Sequence, residues 1–285
     1  AQERAVAIGF ASLGYVAVIP DYVGLGPVPE DHPFVHASSE ATSVVDLLRA
    51  SYRLARRNGV LLGSKVFLVG ASQGGHASLA AQRDLELRHG DEFTVAAVAP
   101  IAGPYDLSQT MVELMLDRSK PHPNPYQLPY LLTAYNRVYR FFPTDAELFK
   151  APYDQTLPPL FDGKHAFDEI SAAMPPAPVD VMNESFLAAF RADSDHPLRV
   201  ALRENDLVGR ATERDPWTPK APVRFFHCKG DLTIPYDNAQ IAYDNFSAAG
   251  APVELLEPPG AAGADHDECL LPGLFAAKDW FETLR

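Results

Sequence analysis

The sequence predicts an α/β fold in which a mostly parallel sheet, covered by helices on both faces, is interrupted by a large, mainly helical insertion. Three observations carry this expectation. The apolar runs KVFLVG at 65–70, FTVAAVAPIAG at 93–103 and PVRFFHCKG at 222–230 are continuous rather than alternating, as strands buried on both faces require. Helical patterns separate those runs, which is the rhythm of strand–helix–strand crossovers. From about 108 to 215 the rhythm stops, and Pro, aromatic and small polar residues replace it with no stretch long and apolar enough to join the sheet. So long a connection needs structure of its own, so it is expected to be a helical cap.

Taken in order, residues 1–14 carry Ala5, Ile8 and Leu13 on one side and end at Gly14, a helix and its stop. YVAVIP at 15–20 has buried-strand character, and DYVGLG after it is a polar, glycine-containing loop. Residues 38–57 open on Ser38 and Ser39 as caps, and Val44, Leu47, Leu48 and Leu54 form an apolar stripe. QGGHASLAAQRDLEL at 73–87 is a small-residue-rich helix. Within the cap, SQTMVELMLD and ESFLAAFRA are helical. After it, residues 237–250 form a helix closed by Gly250, PVELLEP at 252–258 a strand, and ECLLPGLFAAKDWFETL a terminal helix with an internal Pro. The expected division is 1–107 and 216–285 for a split catalytic domain around a cap at 108–215.

The 285 residues hold 24 Lys plus Arg against 37 Asp plus Glu, a formal net charge of −13. That field repels nucleic acid and anionic lipid, and no aromatic-interleaved basic patch offsets it. No apolar run approaches the roughly 20 residues of a membrane span. The opening residues show no signal-peptide pattern, which a mature chain would also lack.

Chemistry concentrates at GASQG, residues 70–74, a G-x-S-x-G sequence. With a strand directly before and a helix directly after, it reads as a strained turn that lifts the Ser72 hydroxyl above the sheet. The flanking glycines are expected because side chains would clash in so tight a turn. Gly70, Gly74 and Gly75 do not have the G-x-G-x-x-G spacing of a dinucleotide site. A serine hydroxyl needs a base in hydrogen-bond reach, and the base needs an orienting acid. In such a fold both come from loops after later strands, in the order Ser, Asp, His. Asp231 is the first acid after the strand at 222–230, with Asp206 in ENDLVG as its rival; His266 closes the loop after the strand at 252–258.

His76 and His227 read as packed structural residues, and His32, His36, His89, His122, His165 and His196 fall in loops, cap or helix ends. There is no H-E-x-x-H or comparable cluster, so neither a metal nor another cofactor is expected. The Gln73 main-chain N–H is the expected oxyanion donor. A second donor normally comes from an HG-containing loop after an earlier strand. No such loop precedes the helix at 1–14, so either the donor is an unusual one or, as expected here, residues before this chain supply the early strands and that donor.

The sequence resembles the α/β-hydrolase superfamily and, more narrowly, the secretory lipase and esterase family typified by fungal lipase A. The similar stretches are GYVAVIPDYVGLG, HPFVHA, GASQGG, HPLRVALRENDLVG, PVRFFHCKGDLTIPYDNAQIA and DHDEC. The resemblance implies Ser72, Asp231 and His266 as a catalytic triad, the Gln73 amide as oxyanion donor, and the cap as the wall of an acyl pocket. Cys228 stands just before the acid loop and Cys269 three residues after His266. Those loops must meet, which leaves either a disulfide tying them together or two free buried thiols. A disulfide favours a secreted or periplasmic setting.

The expected activity is hydrolysis of hydrophobic short- or medium-chain carboxylic esters through an acyl-enzyme. The expected partner is therefore a small hydrophobic ester, with no nucleic acid, no integral membrane segment, and an amino-terminal fragment of the same protein as the one candidate protein partner. Two alternatives stay open: a serine peptidase resembling the prolyl oligopeptidase group, and a non-catalytic homologue that binds without turnover.

Overall fold

The computed structural model describes residues 2–27 and 31–285. The chain begins with α1 (Gln2–Ser12), the helix expected over 1–14; Ala1 lies outside the described residues. There follow α2 (Ala37–Arg57), β1 (Lys65–Ala71), α3 (Gln73–Arg88) and β2 (Thr94–Ile101). After the cap come β3 (Val223–Phe226), α10 (Asp237–Ala248), β4 (Val253–Leu256) and α11 (His266–Glu282).

The four strands of the described residues are all parallel, in the spatial order β1-β2-β3-β4. The alternation of a strand sends Val66 and Leu68 of β1 to one face and Phe67 and Val69 to the other. On the first face, one core gathers Val66 and Leu68 with Ala41, Val45 and Leu48 of α2, Leu79 and Leu85 of α3, and Phe246 of α10. On the second, Ala97, Ala99 and Ile101 of β2 meet Phe10 of α1 and Ala277 and Phe281 of α11. Helices thus cover both faces, which is why the strands read as unbroken apolar runs.

The cap opens with a π-helical turn, Leu107–Met111, followed by α4 (Val112–Leu116) and α5 (Gln127–Tyr139). It continues through α6 (Tyr153–Thr156), α7 (Phe167–Ala172), α8 (Glu184–Ala192) and α9 (Pro197–Glu204). It has a core of its own, with Tyr135, Phe149, Leu157, Val179 and Leu187 fully or almost fully buried. Its two ends are tied by an ion pair and by hydrogen bonds. Asp106 at the entrance pairs with Arg210 at 2.5 Å, and Asp206 near the exit accepts from Ser108 Oγ at 2.5 Å and Ser108 N at 2.9 Å.

One expectation is corrected. Residues 15–20 form no strand. Val16 is 54 % exposed and Ile19 47 %, because no strand of the described residues runs beside this segment to pair its backbone or bury its side chains. Strand character in a sequence is a capacity to fit a pleated, half-buried surface, and it is realised only where such a surface exists. Among the described residues no helix is long and apolar enough to cross a membrane.

Candidate active site

Ser72 sits where β1 turns into α3, with φ 56° and ψ −123°, a conformation a serine adopts only under constraint. The turn is tight on one side: a Cβ on Gly70 would stand 2.1 Å from the Gly74 carbonyl oxygen, and one on Gly75 2.7 Å from that of Ile101. At Gly74 a Cβ would meet nothing within 4 Å, so the steric demand expected of both flanking glycines falls on the first and on Gly75.

His266 is the first residue of α11, whose N-cap Asp265 accepts from the Glu268 amide. Its Nε2 lies 3.0 Å from Ser72 Oγ and its Nδ1 2.7 Å from Asp231 Oδ2. Asp231 follows β3, and its Oδ1 accepts from the amides of Thr233 and Ile234 at 2.9 and 2.8 Å. Burial pushes the Asp231 carboxyl up. Hydrogen bonds from His227 and His266, with the charge those rings can carry, outweigh burial and hold it at about 2. An ionised Asp231 accepts the Nδ1 hydrogen, which leaves the His266 Nε2 lone pair facing the Ser72 hydroxyl.

The acid and base loops meet closely. A Cβ on Gly230 would lie 2.2 Å from the Gly263 carbonyl oxygen. Cys228 and Cys269, both buried, are bonded to one another with their Cα atoms 5.9 Å apart. The Gln73 amide, at the first position of α3, has no hydrogen-bond partner among the described residues and points its dipole as a helix N-terminus does. An apolar cavity of about 60 Å³ is lined by Ser72 and Gln73 together with Met111, Leu128, Met182 and Phe186 of the cap. Val35, at φ 53°, forms part of its wall, a strained conformation for a β-branched residue.

Asp206 is remote from this line, fully buried and engaged with Ser108. Three residues without an obvious motif join the site's surroundings. His227, just past β3, sets Nε2 2.8 Å from the Ile234 carbonyl oxygen and 3.2 Å from Asp231 Oδ2, so it contacts the acid in addition to packing. Glu40 of α2 and His32 both reach the Gln73 side chain at 2.9 Å, so His32 is a buried network member rather than a plain loop histidine. Only a register between distant segments could have revealed these contacts, and the sequence gives no local signal of it. No cluster of three or more His, Cys, Asp or Glu among the described residues is arranged to hold a metal ion.

A family described as secretory lipase matches residues 3–88. No curated protein matches the chain. A candidate hydrolase of Legionella pneumophila is similar in structure, with 29 % identity and a TM-score of 0.83 over 95 % of this chain and 70 % of that one. A rice cell wall degrading esterase from Xanthomonas oryzae shares 26 % identity over 93 % of this chain and 71 % of its own, at a TM-score of 0.79. Lipase A of Candida antarctica shares 19 % identity and a TM-score of 0.60 over 82 % of this chain and 51 % of its own, a likeness of fold.

Proposed function

Since this chain is an α/β-hydrolase enzyme of the esterase and lipase type, related to the secretory lipases, we propose that it hydrolyses hydrophobic carboxylic esters through an acyl-enzyme on Ser72. The observation that carries the reading is the hydrogen-bonded line from Ser72 Oγ through His266 to Asp231, with Ser72 in the lining of an apolar cavity. In the proposed reaction Ser72 Oγ attacks the ester carbonyl carbon while its proton passes to His266 Nε2. The carbonyl oxygen becomes an oxyanion facing the Gln73 amide. Collapse expels the alcohol, which takes the proton from His266 and leaves the acyl group on Ser72. Water then repeats the sequence with His266 as base and releases the carboxylic acid. Asp231 stays ionised throughout and holds the imidazole in its working tautomer.

A cavity walled by Met, Leu and Phe favours an acyl chain over a sugar or phosphate. Short or medium acyl chains are the proposed substrates. The catalytic unit is proposed to be residues 1–107 with 216–285, and residues 108–215 to form the cap that walls the acyl site. Relatedness to secretory lipases is consistent with secretion, and the buried Cys228–Cys269 bond supports an oxidising compartment.

The test is turnover of p-nitrophenyl esters from acetate to palmitate by the wild type and Ser72→Ala. Expected is turnover that the substitution removes, greatest for short or medium acyl groups. An anilide of the same acyl group hydrolysed as fast as its ester would move the reading to a peptidase; the absence of any Ser72-dependent turnover would overturn it.

A further inference from the structure

Behind the nucleophile lies a buried polar chain that the triad does not use. Glu40 is 1 % exposed and both its oxygens are engaged: Oε1 accepts from Gln73 Nε2 at 2.9 Å, and Oε2 lies 2.6 Å from His76 Nδ1. His76 Nε2 is 3.0 Å from the Asn205 carbonyl oxygen, which only accepts, so that nitrogen carries a hydrogen. The same reasoning fixes His32. Its Nδ1 faces the Val23 carbonyl at 2.7 Å and must donate, while its Nε2 faces Gln73 Nε2, which only donates, at 2.9 Å and so accepts the second hydrogen of that amide. The Gln73 side chain is thus held by both hydrogens of its amide. Rotating that amide would turn its oxygen onto the Glu40 carboxylate, so one orientation is enforced.

Gln73 is also the residue whose main-chain N–H stands next to the nucleophile. We propose that Glu40, oriented by His76, is a positioning residue. By clamping the Gln73 side chain it fixes the Gln73 main-chain N–H where the oxyanion of the tetrahedral intermediate forms. Glu40 then serves the transition state and not the binding of ester. This rests on the ester-hydrolase reading, and the experiment keeps the two apart.

Glu40→Gln preserves the geometry, since its carbonyl accepts from Gln73 and its amide donates to a His76 Nδ1 that carries no hydrogen; it should keep kcat within about threefold. Glu40→Ala removes the clamp. A displaced oxyanion donor costs roughly 10²-fold, so kcat should fall by about that factor with KM nearly unchanged, and affinity for a boronic acid that mimics the tetrahedral intermediate should fall in parallel. Gln73→Ala leaves the Glu40–His76 pair in place and should show the same loss. The double variant should be little worse than either single one, as expected of residues acting through one contact. Should Glu40→Ala not fold, Gln73→Ala decides alone. A wild-type kcat in Gln73→Ala, or additive losses in the double variant, would overturn the proposal while ester turnover by the wild type stands. Absence of Ser72-dependent turnover in the wild type would instead remove the reading on which it rests, and the proposal with it.

Discussion

Reducing the Cys228–Cys269 bond should cost this protein both stability and turnover. The bond spans a sequence separation of 41, enclosing Asp231, β4 and the loop that leads into His266. Closing a loop of that length removes denatured-chain entropy worth about 4 kcal/mol at 25 °C, and measured bridges typically deliver about 2–4 kcal/mol. The position matters as much as the length. Cys228 stands three residues before Asp231 and Cys269 three after His266, so the bond staples the loops that set the 2.7 Å contact between acid and base. Reversible urea unfolding of oxidised and reduced wild type compares the same side chains and avoids the packing change of a substitution. The expected result is a loss of about 2–4 kcal/mol on reduction, with kcat lowered more than KM is raised. A loss below about 1 kcal/mol with unchanged kcat would refute the reasoning that the bond holds these loops together.

Gly230→Ala should separate acid from base, because its Cβ would press on the Gly263 and Ala264 carbonyl oxygens; a shift of about 1 Å costs roughly 10²-fold in kcat, read by ester turnover in protein that retains its fold by circular dichroism. Asp206 is raised to about 7, chiefly by burial and further by Asp106, against the lowering effects of Ser108 and Arg210. The folded state therefore holds a proton there that the unfolded chain releases above about pH 4. Relative to Asp206→Asn, wild-type stability should rise as pH falls from 7 towards 4, by up to about 1.4 kcal/mol per pH unit, measured by urea unfolding across that range. A parallel pH dependence in both proteins would contradict it. Asp231 behaves in the opposite sense: held at about 2, it stabilises the fold above the ordinary carboxylate range and loses that contribution as pH falls through 2. His227→Phe deletes one hydrogen bond to this carboxylate and should move the acid-unfolding midpoint to higher pH while lowering kcat; an unmoved midpoint would show that His227 only packs.

What the sequence made legible was whatever depends on short-range order. KVFLVG, the glycine at 70 and the small-residue helix after Ser72 stand in one continuous stretch, so the turn that exposes the hydroxyl follows from neighbours. Asp231 and His266 stand out as candidates because each is the first suitable residue in a loop after a strand, and parallel strands bring such loops to one edge, where the two side chains meet at 2.7 Å. Glu40, His32 and His227 were not reachable in that way. Glu40 meets Gln73 across 33 residues, and nothing in ASSEATSVVDLL distinguishes a buried network carboxylate from an exposed first-turn acid. His227 reads as packing because it falls within the run expected as a strand at 222–230, and its contact with Asp231 depends on the turn that follows. Residues 15–20 mark the converse limit: the β-branched run YVAVIP announces a strand, but pairing is a property of the neighbour.

The proposed nucleophile can be tested directly. Folded wild-type protein treated with an active-site fluorophosphonate, then digested and mapped by mass spectrometry, should carry one phosphonyl adduct on the peptide containing Ser72, and Ser72→Ala should carry none. Labelling at another residue, or no labelling in protein that still hydrolyses esters, would contradict the assignment of Ser72, His266 and Asp231 as the reacting line.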